Sequence, residues 1–259
     1  MFIPSKYEFV DLGLPSGTKW ASCNVGATKP EDFGLYFAWG ETQGYEGITD
    51  EKQFSWPDYK LCGGSSSTLT KYNNDSSNGT VDILTTLEQV DDAAYTSDNT
   101  CRTPTKADLE ELTANTTSTW ETLNGVNGKR FTSKTNGNSI FVPAAGLCGD
   151  GSVYFVGSDG ILWSSSLYES DSRYAWDLSF NSVDVGMNHN GDYRCYGFTV
   201  RAVQEANISS KFDPKETVSK LSDLESKTVE IENQLSNVYT KEEVDDLIPT
   251  DYITEEQLT

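Results

Sequence analysis

The chain has 259 residues, with 40 acidic side chains against 19 basic ones and a net charge of −21. That charge repels phosphate backbones and anionic headgroups, so nucleic acid is not an expected partner and anionic membranes are disfavoured. No run approaches the roughly 18 apolar residues of a membrane span, and the opening MFIPSKYEFVDLG lacks a basic stretch followed by an apolar one, so neither membrane insertion nor a signal peptide is expected.

In chain order, residues 7–12 alternate at period two and run into Gly13-Leu14-Pro15-Ser16-Gly17, which predicts a strand and a turn. Residues 18–23 predict a second strand. Residues 63–68 and 73–79 are loops by composition, and residues 82–94 are expected to contain a short helix. Thr105 is the expected N-cap of another helix, with Asp108 three residues on and Leu109 and Leu112 facing inward. A hairpin is expected from residues 153–156, a turn at 157–160 and a return strand at 161–164. Residues 174–180 alternate, which places Trp176, Leu178 and Phe180 on a buried face and Asp177 and Ser179 on a wet one. Residues 197–203 form a closing strand. Trp20, Trp39 and Trp163 sit in strand-like runs and are expected in the core. Many loops with a few helices predict an α+β head.

Every glycine, tryptophan, cysteine and arginine precedes residue 205. Beyond it, Leu221, Leu224, Thr228, Ile231, Leu235 and Val238 are spaced by alternating steps of three and four, the a and d positions of a coiled coil. The expected organisation is a head at 1–204, a linker at 205–217, a short helical coiled coil at 218–238 and a connector at 239–259. A lone helix of that length is marginal in water, so a homo-oligomer, a trimer first, is expected through this tail.

Five cysteines (Cys23, Cys62, Cys101, Cys148 and Cys195) are widely separated without a CxxC pair, and His189 is the sole histidine. A zinc site is not expected, and the thiols read as small buried hydrophobes. Neither Asp150-Gly151-Ser152 nor residues 73–78 has the spacing of a calcium loop, so no metal and no cofactor are expected. His189 lacks a nucleophile and an orienting acid, so no catalytic residue is assigned. Asp91-Asp92 and Glu31-Asp32 read as caps or loop anchors accepting backbone N–H groups.

The stretches EFVDLGLPSGTKWASCNVGATKPEDFGLYFAWGET (8–42), LEQVDDAAYTSDNTCRTPTKADLEEL (87–112), NGVNGKRFTSKTNGNSIFVPAAG (124–146), LWSSS (162–166) and GFTVRAV (197–203) resemble the Fibrobacter succinogenes major paralogous domain. Cys101-Arg102 is a departure, since that family more often has an aromatic residue before the Arg. The resemblance implies a C-type-lectin-like fold, in the branch shared with formylglycine-generating enzymes and with hypervariable receptor-binding proteins of diversity-generating retroelements. Residues 239–248 are similar to connector segments of phage tail fibres. Formylglycine-generating enzymes use two closely placed cysteines, and Cys195 has no near neighbour in sequence, so that activity is not expected. Binding is implied on the loops between the WSSS strand and the closing strand. That interval offers Tyr168, Glu169, Asp171, Arg173, Tyr174, Asn181, Asp184, Asn188, His189, Asn190, Asp192, Tyr193 and Arg194. Tyr supplies contact area while Asn, Asp and Arg supply directional hydrogen bonds, a combination suited to sugars. The function expected from this is a non-enzymatic receptor-binding adhesion protein of a Bacteroidetes phage or prophage tail. It would sit on the virion tail surface and bind a host surface glycan or protein. The alternatives are a bacterial cell-surface polysaccharide-binding protein, a structural virion decoration without a host ligand, and an enzyme acting on surface sugars. Recurrent Tyr, Asn, Ser and Asp over 168–196 also fit retroelement-driven variation.

Overall fold

The computed structural model describes residues 6–188 and 191–206, together with Lys227. The expected coiled coil at 218–238 and connector at 239–259 lie, Lys227 apart, outside the described residues. The described residues from 6 to 206 make one compact unit.

The expected α+β class is corrected by the elements that form. Among the described residues there are fourteen strands and two short α-helices, of five and ten residues, and no long helix. In order they are β1 (Phe9–Asp11), β2 (Lys19–Ala21), β3 (Tyr36–Phe37), α1 (Ala93–Ser97), α2 (Lys106–Asn115), β4 (Thr116–Leu123), β5 (Val126–Ser133), β6 (Ser139–Pro143), β7 (Leu147–Gly149), β8 (Ser152–Tyr154), β9 (Asp159–Leu167), β10 (Tyr174–Asn181), β11 (Val185–Met187), β12 (Asp192–Tyr193), β13 (Phe198–Thr199) and β14 (Val203–Gln204). Nine of the strands are only two or three residues long, which is why composition alone reads their surroundings as loop.

The largest sheet runs β11-β10-β9-β13-β3, with β12 also paired to β10; smaller sheets are β1-β2-β14, β4-β5-β6 and β7-β8. The first and last strands of the head meet on β2, where Trp20 opposes both Val10 and Val203. Two hairpins follow from dipeptides that tolerate positive φ. Asn124-Gly125 (50° and 88°) joins β4 to β5, and Asp150-Gly151 (47° and 78°) joins β7 to β8. Both central residues sit in the left-handed region, the requirement of a type I′ turn whose twist matches its strands. The expected hairpin of 153–156 with 161–164 is therefore replaced: β8 returns on β7, while β9 pairs with β10. No helix forms over 82–88; a 3₁₀ turn at Gln89–Asp91 leads directly into α1.

α2 forms as its caps dictate. Thr105 Oγ1 accepts from the Asp108 N–H at 3.2 Å while the Asp108 carboxylate accepts from the Thr105 N–H at 2.7 Å. This reciprocal box satisfies two orphan donors. Leu109 and Leu112 then enter a core with Trp20, Phe131, Leu162 and Leu178. Each buried leucine contributes about 1.5–3 kcal/mol. Trp39 and Trp163 lie in a second cluster, where Trp163 stacks on Phe198 with centroids 4.1 Å apart. Cys23, Cys101, Cys148 and Cys195 are buried and all five cysteines are free thiols. Burial pushes the Cys101 and Cys148 thiols up to about 12, so they stay protonated.

Two arginines are set in the interior. Arg201 donates to Asn24 Oδ1 at 2.8 Å and to the Ala21 and Phe141 carbonyls at 2.9 Å, tying β2 to β6. Desolvation lowers its pKa to about 10. Asp92, expected as a cap, accepts from the Ala94, Tyr95 and Thr103 N–H groups and so fixes the start of α1. Asp32 likewise accepts from the N–H groups of Thr28 and Lys29. Asp91 and Glu31 instead accept from side chains, Tyr72 Oη and Asn124 Nδ2 respectively.

Candidate functional site

The site is built on β10. Its alternation is broken by a register shift between Ala175 and Asp177, where β9 partners jump from Leu167 to Trp163. β9 advances four residues while β10 advances two, so the ladder is interrupted at Trp176, which has no partner in β9. Leu178 and Phe180 stay in the core, as expected, but Trp176 does not: it is half-buried, and Asp177 is the fully buried residue instead. Both placements correct the alternation read from the sequence.

Trp176 lines a cleft of about 640 Å³ whose other walls include Lys106 and Glu110 from α2, Ser179 and Asn181 from β10, and Asp184, Met187 and Asn188 around β11. The capping box at Thr105 fixes where Lys106 starts the helix. The Lys106 ammonium lies 4.7 Å from the Trp176 ring and pairs with Glu110. The Trp176 indole N–H donates to Glu169 Oε2 at 3.1 Å, so Glu169 fixes the tilt of the ring. Asn181 Oδ1 accepts the Val183 and Asp184 N–H groups, which leaves its amide NH₂ without a partner among the described residues. Ser179 Oγ is uncommitted in the same sense. One aromatic ring beside hydroxyl, amide and carboxylate groups can stack on a sugar ring and reach its hydroxyls.

Asn181, Asp184 and Asn188 are thus brought together by the cleft, while the tyrosines gather beside it. Trp176 meets Tyr168 edge-on at 5.0 Å, Tyr168 meets Tyr174 at 6.5 Å, and Tyr174 stacks on Tyr193 at 4.5 Å. Trp56, which the sequence did not single out, extends this row at 5.7 Å from Tyr193. Arg173 lies over the Tyr174 ring at 5.9 Å and forks onto the Asp171 carboxylate. That fork holds the Asp171 carboxyl below its usual range. The 168–173 loop is not free: Asn74 Nδ2 donates to the Glu169 carbonyl, and Ser172 Oγ donates to Asn74 Oδ1.

Arg194 is the clear correction among the expected ligand residues. It is fully buried and donates at 3.0 Å to Tyr59 Oη and to the carbonyls of Lys71, Tyr72 and Ser172. Its guanidinium also lies 4.8 Å from the Trp39 ring. A cation so placed is a staple between the 71–74 and 168–173 loops; it positions the site and cannot touch a ligand. His189 and Asn190 lie outside the described residues.

Beside the cleft residue Asn188 stand two carboxyls, the fully buried Asp177 and the half-buried Asp192. Neither Asp177 oxygen makes a hydrogen bond among the described residues. Burial first, and the Asp192 charge second, raise the Asp177 carboxyl well above the ordinary range, with the nearby Asn188 amide offsetting part of this. Asp192 accepts from Asn188 Nδ2 at 3.0 Å, yet burial still pushes it up to about 6.

Sequence reasoning missed Trp176, Ser179, Lys106, Glu110 and Asp159 as cleft residues. For Trp176 no local signal exists, because a bulge depends on the partner strand. Lys106 carried one: a cation in the first helical turn opposes the helix dipole, an arrangement that asks for a reason. Comparison of the chain with known protein families, with curated proteins and with solved structures found no match.

Proposed function

We propose that the protein is a non-enzymatic receptor-binding protein that holds a surface glycan in the cleft between α2 and the β10–β11 edge. The observation that carries this reading is Trp176, which stands at the break in the β9–β10 ladder and is left half-buried in a concave, polar-lined space. Large aromatics are favoured core residues, so presenting one to a cleft forgoes burial energy that a ligand recovers. Neither Asp177 nor Asp192, the two carboxyls with raised pKa, lines the cleft, which favours binding over acid catalysis there. The setting we assign is a phage or prophage tail, on the resemblance of residues 7–204 and of the 239–248 segment; a bacterial cell surface would use the same chemistry.

The test is Trp176→Ala in a glycan-array and whole-cell binding assay with the intact chain. Loss of the indole should weaken binding about thirtyfold, on the order of 2 kcal/mol, with unfolding little changed. Undiminished binding by a folded Trp176→Ala protein would refute the site.

A further inference from the structure

We infer that this cleft selects an uncharged saccharide and discriminates against anionic ones such as sialylated, sulfated or uronate-bearing chains. The inference rests on the glycan-binding reading and adds the class of sugar. Among the described residues, three carboxylates line the cleft, those of Glu110, Asp159 and Asp184, against the ammonium of Lys106.

That ammonium is already engaged. It pairs with Glu110 one helical turn on and lies against the Trp176 ring. An anionic sugar therefore finds no uncommitted cation among the described lining residues, and it must bring its charge toward Asp159 and Asp184, near which only the buried Lys129 ammonium, bonded to the Asp184 carbonyl, carries the opposite sign. Arginine, the usual partner for a ligand carboxylate or sulfate, is absent from the lining. Arg173, on the 168–173 loop, is committed to Asp171. Repulsion of like charges in a partly desolvated cleft weakens binding more than it would in open water. The net charge of −21 adds a longer-ranged barrier to polyanions.

The same carboxylates suit a neutral, hydroxyl-rich ligand. An ionised carboxylate only accepts hydrogen bonds, and sugar hydroxyls donate them. Asp184 commits Oδ1 to the Val185 N–H and keeps Oδ2 uncommitted, while the Asn181 amide supplies a donor close by. Acceptor, donor and aromatic face are then all present without a formal charge on the ligand.

The experiment is an array on which each neutral oligosaccharide is printed beside its sialylated, sulfated and uronate-bearing counterparts, probed with the intact chain at 50 mM and 300 mM salt (roughly 14 and 6 Å of screening length). The expected result is binding to one or more neutral chains, with charged counterparts at least tenfold weaker and the gap narrower at high salt. Asp184→Asn together with Asp159→Asn should narrow the gap further. Equal or tighter binding of the anionic counterparts, still lost in Trp176→Ala, overturns the charge selection and leaves the cleft reading standing. Absence of any saccharide binding, or binding indifferent to Trp176→Ala, removes the cleft reading and the inference with it.

Discussion

Replacing Asp177 by Asn should stabilise the protein at neutral pH, an unusual outcome for a change at a fully buried site. The Asp177 side chain has no hydrogen-bond partner among the described residues, and its neighbour Asp192 is a second carboxyl. Both carboxyls have pKa values above those of the unfolded chain, so the folded state holds its protons to higher pH. Such groups contribute stability that is present below the ordinary carboxylate range, near pH 4, and is lost as pH rises through the folded value. For Asp192 that loss runs to about pH 6, at about 1.4 kcal/mol per pH unit, or about 3 kcal/mol in all. Asp177 adds a loss of the same sign that extends higher. Asn has nearly the same shape, cannot ionise, and offers an amide that can donate to the Asp192 carboxylate. Asp177→Asn should therefore be more stable than the parent at pH 7 and show a flatter decline as pH rises above 4. Urea unfolding at half-unit pH intervals measures both quantities. A variant less stable than the parent at pH 7, with the parent's pH slope unchanged, would show that Asp177 is ionised and compensated in the folded protein, and the reasoning would fail.

Arg194→Ala should be a stability variant: it strands three buried carbonyls and the Tyr59 hydroxyl, costing about 3–5 kcal/mol and lowering the Tm by about 10 °C in a calorimetric scan. An unchanged Tm with lost ligand binding would return Arg194 to the surface. Thr105→Ala removes the acceptor of the α2 capping box and should cost about 1 kcal/mol by chemical unfolding, with glycan binding weakened because Lys106 and Glu110 lose their fixed start; a cost below the error of the measurement would argue against the cap.

Local chemistry made much of this protein legible. Thr105 and Asp108 announce α2 because a capping box is complete within four residues, whereas the sequence reading passes over the hairpin dipeptides Asn124-Gly125 and Asp150-Gly151 in favour of a hairpin that does not form. Trp20, Trp39 and Trp163 are core, as strand-like runs of large aromatics predict. The errors share a different cause. The break in the ladder at Trp176 is set by how β10 pairs with β9, and the choice of β7 over β9 as the partner of β8 is likewise a matter of pairing. Arg194 looks like a ligand residue in a polar run, yet the carbonyls that enclose it come from Lys71 and Tyr72, more than 120 positions away.

By itself the sequence determined the α2 cap, several loops and the aromatic core, since each depends on residues within a turn of one another. Only the tertiary structure decided which of those residues face solvent, because facing follows from strand register and from which distant carbonyls and carboxylates close around a side chain.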